Sequence, residues 1–275
     1  MADASAGQTA AAPARNAPGG ATRLSRLTGV NWRGALAVAA FVLGWELLVR
    51  LKALGFAAVP GPLESLTAFW VTYASKASYW ESSFASFRRV VAGFVLAQVL
   101  GIPLGLLLGT RERLREMMFP VLELMRPIPP IAWVPLSILF WPSHELSIIF
   151  ITFIGAFFII VINVHDGVRT IKQEHLWLAR SLGAGEAMIF RRIVLPSVLP
   201  AISVGMTLGI AVTWNVVIAA EMIAGDNGLG RLTWEGYVSH TSTVVIIGMV
   251  SIGLAGYLSS ALVAWLLHKL TPWST

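Results

Sequence analysis

Residues 90–109 read VVAGFVLAQVLGIPLGLLLG, an unbroken run of twenty positions without a charged side chain. A helix rises about 1.5 Å per residue, so a run of this length covers the roughly 30 Å of hydrocarbon in a bilayer. The stretch therefore reads as a membrane span. Gly101, Gly105 and Gly109 recur at every fourth position within it. That spacing lets a second helix backbone come close, although glycines that merely face lipid would give the same pattern.

Five further segments approach or meet the length of a span: 33–51, 118–141, 146–164, 195–220 and 244–267. The fold class that follows is an all-α, polytopic membrane protein with about six transmembrane helices. Composition agrees, because 56% of residues are hydrophobic and 12% charged, with a mean hydropathy of +0.73. A single soluble core could not hide that much apolar sequence, which excludes a soluble enzyme and a wholly disordered chain. The sequence has no cysteine, which removes disulfides, thiolate nucleophiles and Cys-based zinc sites.

Residues 1–30 read as a disordered cytoplasmic tail preceding a membrane domain over 31–272, since the first 22 are mostly Ala, Gly, Ser and Thr. The first apolar stretch begins near residue 34 and is as long as a full span, so it is not read as a signal peptide. The net charge of +6 is confined to gaps between the spans. Such clustering sets membrane orientation, whereas a nucleic-acid binder would carry an even basic coating. Arg15, Arg23, Arg26 and Arg33 precede the first span. Arg111, Arg113 and Arg115 follow the second, and Arg169, Lys172, Arg180, Arg191 and Arg192 follow the fourth. These gaps, with both termini, are assigned to the cytoplasm. Arg88 and Arg89 conflict with that assignment, and are expected to snorkel from the outer end of span two. Residues 53–84 are too polar and proline-punctuated to cross. Leu63–Trp80 is expected to form an outer interfacial helix, or a surface helix packed on the bundle.

No glycine-rich phosphate loop surrounds any of the four lysines, so ATP hydrolysis has no site here. His144, His165, His175, His240 and His268 lack metal-ligand spacing and suit interfacial or loop positions. Ionisable residues inside spans carry a functional hypothesis by default. Glu46 lies near enough to the end of span one to snorkel, and Glu123 and Arg126 could pair on one helix face. Glu221 ends the run from Trp214. Between Arg126 and Pro135 the chain holds Pro127, Pro129, Pro130 and Pro135, through which no straight helix persists. Irregular backbone at membrane depth must be protein-buried or line a cavity. This stretch either borders a translocation path, with Arg126 facing an anion, or is a re-entrant kink in which Arg126 pairs with Glu123. On the first reading the path residues are Arg126, Pro129, Pro130, Trp133, Asn215 and Glu221.

The 165–194 segment is polar and amphipathic between two spans. Leu178–Ala184 suggests a helix ending near Gly183, with a second helical stretch from Glu186 to Ile193, a shape suited to a partner's groove. Gly183, nine residues and then Ile193-Val194-Leu195-Pro196 resemble the second half of the cytoplasmic EAA loop (EAA-x3-G-x9-I-x-LP) of bacterial ABC-importer permeases. The first half departs: Trp177-Leu178-Ala179 stands where that motif has Glu-Ala-Ala, and only Ala179 carries over. Val59-Pro60-Gly61-Pro62, Arg88–Phe94, Arg126–Trp133, Ala219–Met222 and Gly228-Leu229-Gly230 extend the resemblance to the nitrate/sulfonate/taurine branch over about 35–272.

The resemblance implies the type I ABC-importer permease fold in a bacterial inner membrane. It implies a second permease copy, two cytoplasmic ABC ATPase subunits that use ATP and Mg, and a periplasmic substrate-binding protein, with no cofactor bound by this chain. The coupling residues it implies are Ala179, Leu182, Gly183, Ala184, Glu186, Arg191, Ile193, Leu195 and Pro196. The substrate class it implies is a small oxyanion such as nitrate, a sulfonate or taurine. A gradient-driven secondary transporter is the rival. It would concentrate carboxylates near the midplane, where this chain has few.

Overall fold

The computed structural model describes residues 32–52 and 59–270, and among them every regular element is a helix. The expected tail over 1–30 lies outside the described residues. In chain order the elements are α1 (Trp32–Arg50), α2 (Pro62–Ala68), α3 (Ala77–Thr110), α4 (Glu112–Met125), α5 (Val134–Phe140), α6 (His144–Arg169), α7 (Gln173–Ser181), α8 (Glu186–Ile189), α9 (Leu195–Ala224), α10 (Leu229–Val238) and α11 (Ser242–Leu270). One widened turn, Phe69–Tyr73, continues α2, and another, Phe190–Val194, joins α8 to α9.

The four-residue glycine stripe of α3 is used for packing. A Cβ added at Gly93 would stand 2.7 Å from Thr152, at Gly101 3.1 Å from Ile160, at Gly105 2.7 Å from Val164 and at Gly109 2.5 Å from Val168. The partner is always 59 positions further on, so α3 and α6 run parallel in a fixed register with their backbones in close approach. α9 returns along the other side of α6, Gly155 meeting Val216 and Gly205 meeting Asn163. The core sits where these three helices meet, around Val90, Ile148, Ile160, Val164, Val198 and Val217. α10 and α11 form an antiparallel pair against α9, with Gly236 beside Val244 and Gly256 beside Trp214.

The parallel register of α3 and α6 has a topological cost. Thr110 ends level with Arg169, while α6 starts 25 residues earlier at His144. Residues 111–143 must therefore climb about 37 Å back through the bundle. They do so in pieces: α4, a break at Arg126–Pro129, a 3-10 turn over Pro130–Trp133, and α5. The segment placed at 118–141 is thus interrupted at its prolines, as the sequence suggested, and its pieces extend from Glu112 to Phe140. Among the described residues five helices are long and apolar enough to cross a membrane, and the sixth passage is this broken one. The prolines explain it, since each lacks the amide a helix needs and restricts the residue before it.

Other boundaries also move. The second span begins at Ala77, not residue 90, and runs 34 residues. The polar start of α3 is tied to its neighbours, with Tyr79 Oη 2.6 Å from Ser251 Oγ. The expected interfacial helix over Leu63–Trp80 breaks at Ala74–Lys76, and Phe69 packs edge-on to Tyr79 at 5.3 Å. It is a helix packed on the bundle. Glu46 bonds Arg50 at 2.8 Å and accepts from the Leu63 amide at 3.4 Å, which fixes the end of α1 beside α2. Along the outside, Val71, Leu124, Leu139 and Phe140 stand more than 70% exposed. An apolar exterior of this extent is stable in lipid rather than in water.

Candidate functional site

Three places hold the residues singled out in the sequence. The first is the broken crossing. Arg126 and Pro130 line a cavity of about 390 Å³ whose remaining wall is mostly apolar, with Ile154, Phe158 and Leu208 among its residues. Arg126 is exposed and makes no ion pair with Glu123 or any other described carboxylate, so the expected Glu123–Arg126 pair does not form. Pro129 supplies the extended residue (φ −57°, ψ 135°) that starts the 3-10 turn. Trp133 is half-buried and packs against the core. Asn215 is exposed on α9, its amide bonded back to the Ala211 carbonyl at 3.2 Å. Of the six expected path residues only Arg126 and Pro130 line this cavity; Pro129, Trp133, Asn215 and Glu221 do not.

Asn163 does, and the sequence reading missed it. One of its amide hydrogens goes to the Ile159 carbonyl at 2.8 Å, leaving a second donor. Its signal was a lone amide in the 146–164 run, which holds no charged residue. A guanidinium and an amide facing one small apolar-walled cavity can hold a compact oxyanion, because a planar fork of donors matches two oxygens at once.

The second place is the 165–194 loop. Leu182 caps α7, the Gly183 amide returns to the Arg180 carbonyl at 2.9 Å, and the Ala184 amide returns to the Ala179 carbonyl at 3.0 Å. This crossed pair of bonds requires a left-handed residue between, and Gly183 has φ +81°. Arg180 and Glu186 close over the turn at 3.0 Å. Ala179, Ala184 and Ile193 are half-buried and anchor the loop on the core, while Trp177, Leu178, Leu182 and Met188 are exposed. The expected second helical stretch from Glu186 to Ile193 forms, as one turn of α-helix followed by the widened turn Phe190–Val194, and runs on without a break into α9. Pro196, in the first turn of α9, has no amide to return to the Arg192 carbonyl. The preceding turn widens, and the Leu195 amide reaches back to Phe190. Arg191 is exposed and forms no ion pair among the described residues.

The third place is where the structure overturns the reading of Arg88 and Arg89. Arg89 does not snorkel: it is 3% exposed. Nε and Nη2 donate to Glu145 at 2.9 and 2.6 Å, Nη1 to Glu221 at 2.8 Å, and Nη1 and Nη2 to the backbone and side-chain oxygens of Asn227 at 2.7 Å each. All five guanidinium N–H groups are thus in use. Arg88 takes the other Glu145 oxygen at 2.8 Å. Glu221 has no exposure and also accepts from Ser86 Oγ at 2.8 Å and the Gly230 amide at 2.9 Å. Gly228 sits at φ +121°, and a Cβ there would press on the Glu221 carboxylate. Two arginines just before an apolar run, a glutamate ending another and a following Gly-x-Gly were the available signal. No local periodicity joins them. His165 also departs from expectation: it is buried within α6, 2.9 Å from Asp166 and stacked near Phe119.

The chain as a whole is similar to known transport proteins. The chain is 33% identical to the nitrate import permease protein NrtB of Leptolyngbya laminosa, over 70% of this chain and 69% of that one. It is 33% identical to the bicarbonate transport system permease protein CmpB of Synechococcus elongatus, over 88% of this chain and 93% of that one. Its fold matches a chain in an inward-facing structure of the MetNI methionine ABC transporter with a TM-score of 0.62 at 19% identity, covering 73% of this chain and all of that one. A family model described as binding-protein-dependent transport system inner membrane component matches residues 101–273. The match takes in the broken crossing, the Gly183 loop and Glu221, and the chain belongs to that family of inner-membrane transport components.

Proposed function

We propose that this chain is the membrane subunit of an ATP-driven importer for a small oxyanion of the nitrate or bicarbonate kind, with the cavity at Arg126 and Asn163 on its path. The observation that carries the coupling half is the Gly183 turn. It holds four large apolar side chains out of the bundle while Ala179, Ala184 and Ile193 tie its base to the core. Exposed apolar groups on a rigid base form a docking element for another protein. Here that partner is a separate ATPase, which uses ATP and Mg, and its closure would move the loop end and convert one access state to the other.

On this reading the loop end is cytoplasmic, and the opposite end receives substrate from a periplasmic binding protein. A second copy of this chain completes a two-fold symmetric path. The oxyanion half rests on the chemistry of the cavity and on the nitrate and bicarbonate relatives.

The test is uptake of labelled nitrate and bicarbonate into proteoliposomes holding this chain with its co-purifying ATPase and binding protein. Uptake that needs both ATP and the binding protein supports the proposal. Uptake by the chain alone under an ion gradient would replace it with a secondary transporter. Arg126→Gln separates the two halves: an importer that still hydrolyses ATP but takes up the anion at least about tenfold more slowly places Arg126 on the path.

A further inference from the structure

A second cavity lies behind the loop, at the level where α3 and α6 end. Its volume is about 750 Å³, and four arginines and two glutamates line it. Two of the arginines are already matched, Arg115 by Glu112 and Arg180 by Glu186. Arg111, in extended conformation between α3 and α4, and Arg169, in the last turn of α6, have no carboxylate partner among the described residues. Two uncompensated guanidiniums therefore share one cavity. The rest of its wall is largely apolar, with Leu107, Ile171, Leu176 and Phe190 among its residues.

We propose that this cavity binds a phosphate-class oxyanion, and that the group is carried by an anionic phospholipid. Guanidiniums recognise phosphate oxygens through forked, charge-assisted bonds, and basic pockets at helix ends in the membrane interface suit lipid headgroups. Free phosphate would satisfy Arg111 and Arg169 equally well, but it would leave the apolar wall uncovered. A lipid covers both. The site is also connected to the loop: Arg180 lines the cavity and bridges to Glu186 across the Gly183 turn. A bound phosphate competes with Glu186 for Arg180, so occupancy changes how firmly that turn is closed.

The experiment is native mass spectrometry of the full chain in detergent, titrated with phosphatidylglycerol or with phosphatidylcholine. The expected result is tighter binding of phosphatidylglycerol, weakened about tenfold or more in R111Q/R169Q, with phosphatidylcholine unaffected. R113Q, whose side chain does not line the cavity, should bind as the wild type does. R111K/R169K keeps both charges but loses the forks and should bind between the wild type and R111Q/R169Q, which guards against a glutamine variant that fails to fold.

Inorganic phosphate, added at constant ionic strength, distinguishes the sources. Displacement of phosphatidylglycerol by millimolar phosphate would assign the same arginines to a free anion and overturn the lipid assignment. Equal phosphatidylglycerol affinity in wild type and R111Q/R169Q would overturn the site. So would an equal loss in R113Q, which would mean diffuse surface charge. Loss of lipid on docking of the ATPase subunit would show that a protein carboxylate fills the cavity, and would overturn the proposal as well.

Discussion

The two ends of the bundle handle arginine in opposite ways. Where α3 begins, Arg89 is buried with all five donors matched, and α3, α6, α9 and the 225–228 turn are fastened to one another through it. At the loop end Arg111, Arg113, Arg169, Arg191 and Arg192 lie exposed, and none makes an ion pair among the described residues. There the attachment is apolar packing at the base of a glycine turn. Charges buried in a closed set resist separation, because any opening strands one of them in low dielectric, whereas exposed charges can exchange partners at little cost. The Arg89 end is thus built as the fixed point and the loop end as the part free to respond.

Breaking the fixed end should have the largest effect. Arg89→Gln leaves Glu221 buried without its counter-charge, and removal of one partner of such a pair costs about 3–5 kcal/mol. Thermal unfolding in detergent should show a large drop, partly recovered in the double variant Arg89→Gln/Glu221→Gln. An Arg89→Gln protein that melts with the wild type would mean the cluster does not hold the end together. Gly228→Ala comes next, at about 2–3 kcal/mol, since it combines an unfavourable positive φ with a Cβ against the Glu221 carboxylate. Gly253→Ala in α11 is its control: no atom lies within 4 Å of the added methyl, and the change should fall within about 0.5 kcal/mol.

The contrast between the ends also tells what the sequence could reveal. Spans of period 3.6 or unbroken apolarity are local properties, so the charge-free 90–109 run, the glycine stripe and the interruption by four prolines were all readable. The Gly183 turn was readable because a left-handed cap has a one-residue signature. The Arg89 cluster was not. Its members come from positions 86, 88, 89, 145, 221, 227 and 230. Read locally, Arg88-Arg89 is a pair of charges at a helix end, for which snorkelling is the ordinary outcome. The 59-residue register of α3 on α6, which sets Glu145 level with Ser86 and so within a turn of Arg89, supplies one partner, and α9 and the following turn supply the others. Asn163 escaped for a similar reason: an amide in a span is informative once the broken crossing is known to stand across from it.

Between the two ends, the α3–α6 seam should be intermediate. Gly105→Ala adds a methyl 2.7 Å from Val164 Cβ and 2.8 Å from the Val161 carbonyl, and such overpacking costs about 1–3 kcal/mol. At the loop end the analogous change should cost less, because a Cβ on Gly183 meets nothing within 4 Å. Gly183→Ala is then penalised by its left-handed backbone alone, about 1–2 kcal/mol, and Gly183→Asn by less. If Gly183→Ala lowered the melting temperature more than Gly105→Ala does, the loop end would be packed at least as tightly as the seam, and the contrast would fail.

The smallest effect on stability, and the sharpest on function, is expected at Leu182. Its side chain is 79% exposed beside the Gly183 turn. Little apolar area is removed from water by the fold at that position, so Leu182→Ser should move stability by no more than about 0.5 kcal/mol. An exposed leucine at the tip of a rigid turn contributes to binding only if a partner buries it, and full burial of such a side chain is worth about 1.5–3 kcal/mol. Affinity for the ATPase subunit should therefore fall by roughly ten- to hundredfold, at 1.4 kcal/mol per decade, while the melting temperature of the isolated chain stays put. Titration of the purified chain with its co-purifying ATPase measures the first quantity, and a melt of the same sample measures the second. Unchanged affinity with unchanged stability would move the docking surface elsewhere on the loop, towards Trp177 and Met188. A fall in both would mean that Leu182 is held by the chain's own packing, and that the loop end is less free than its exposed arginines suggest.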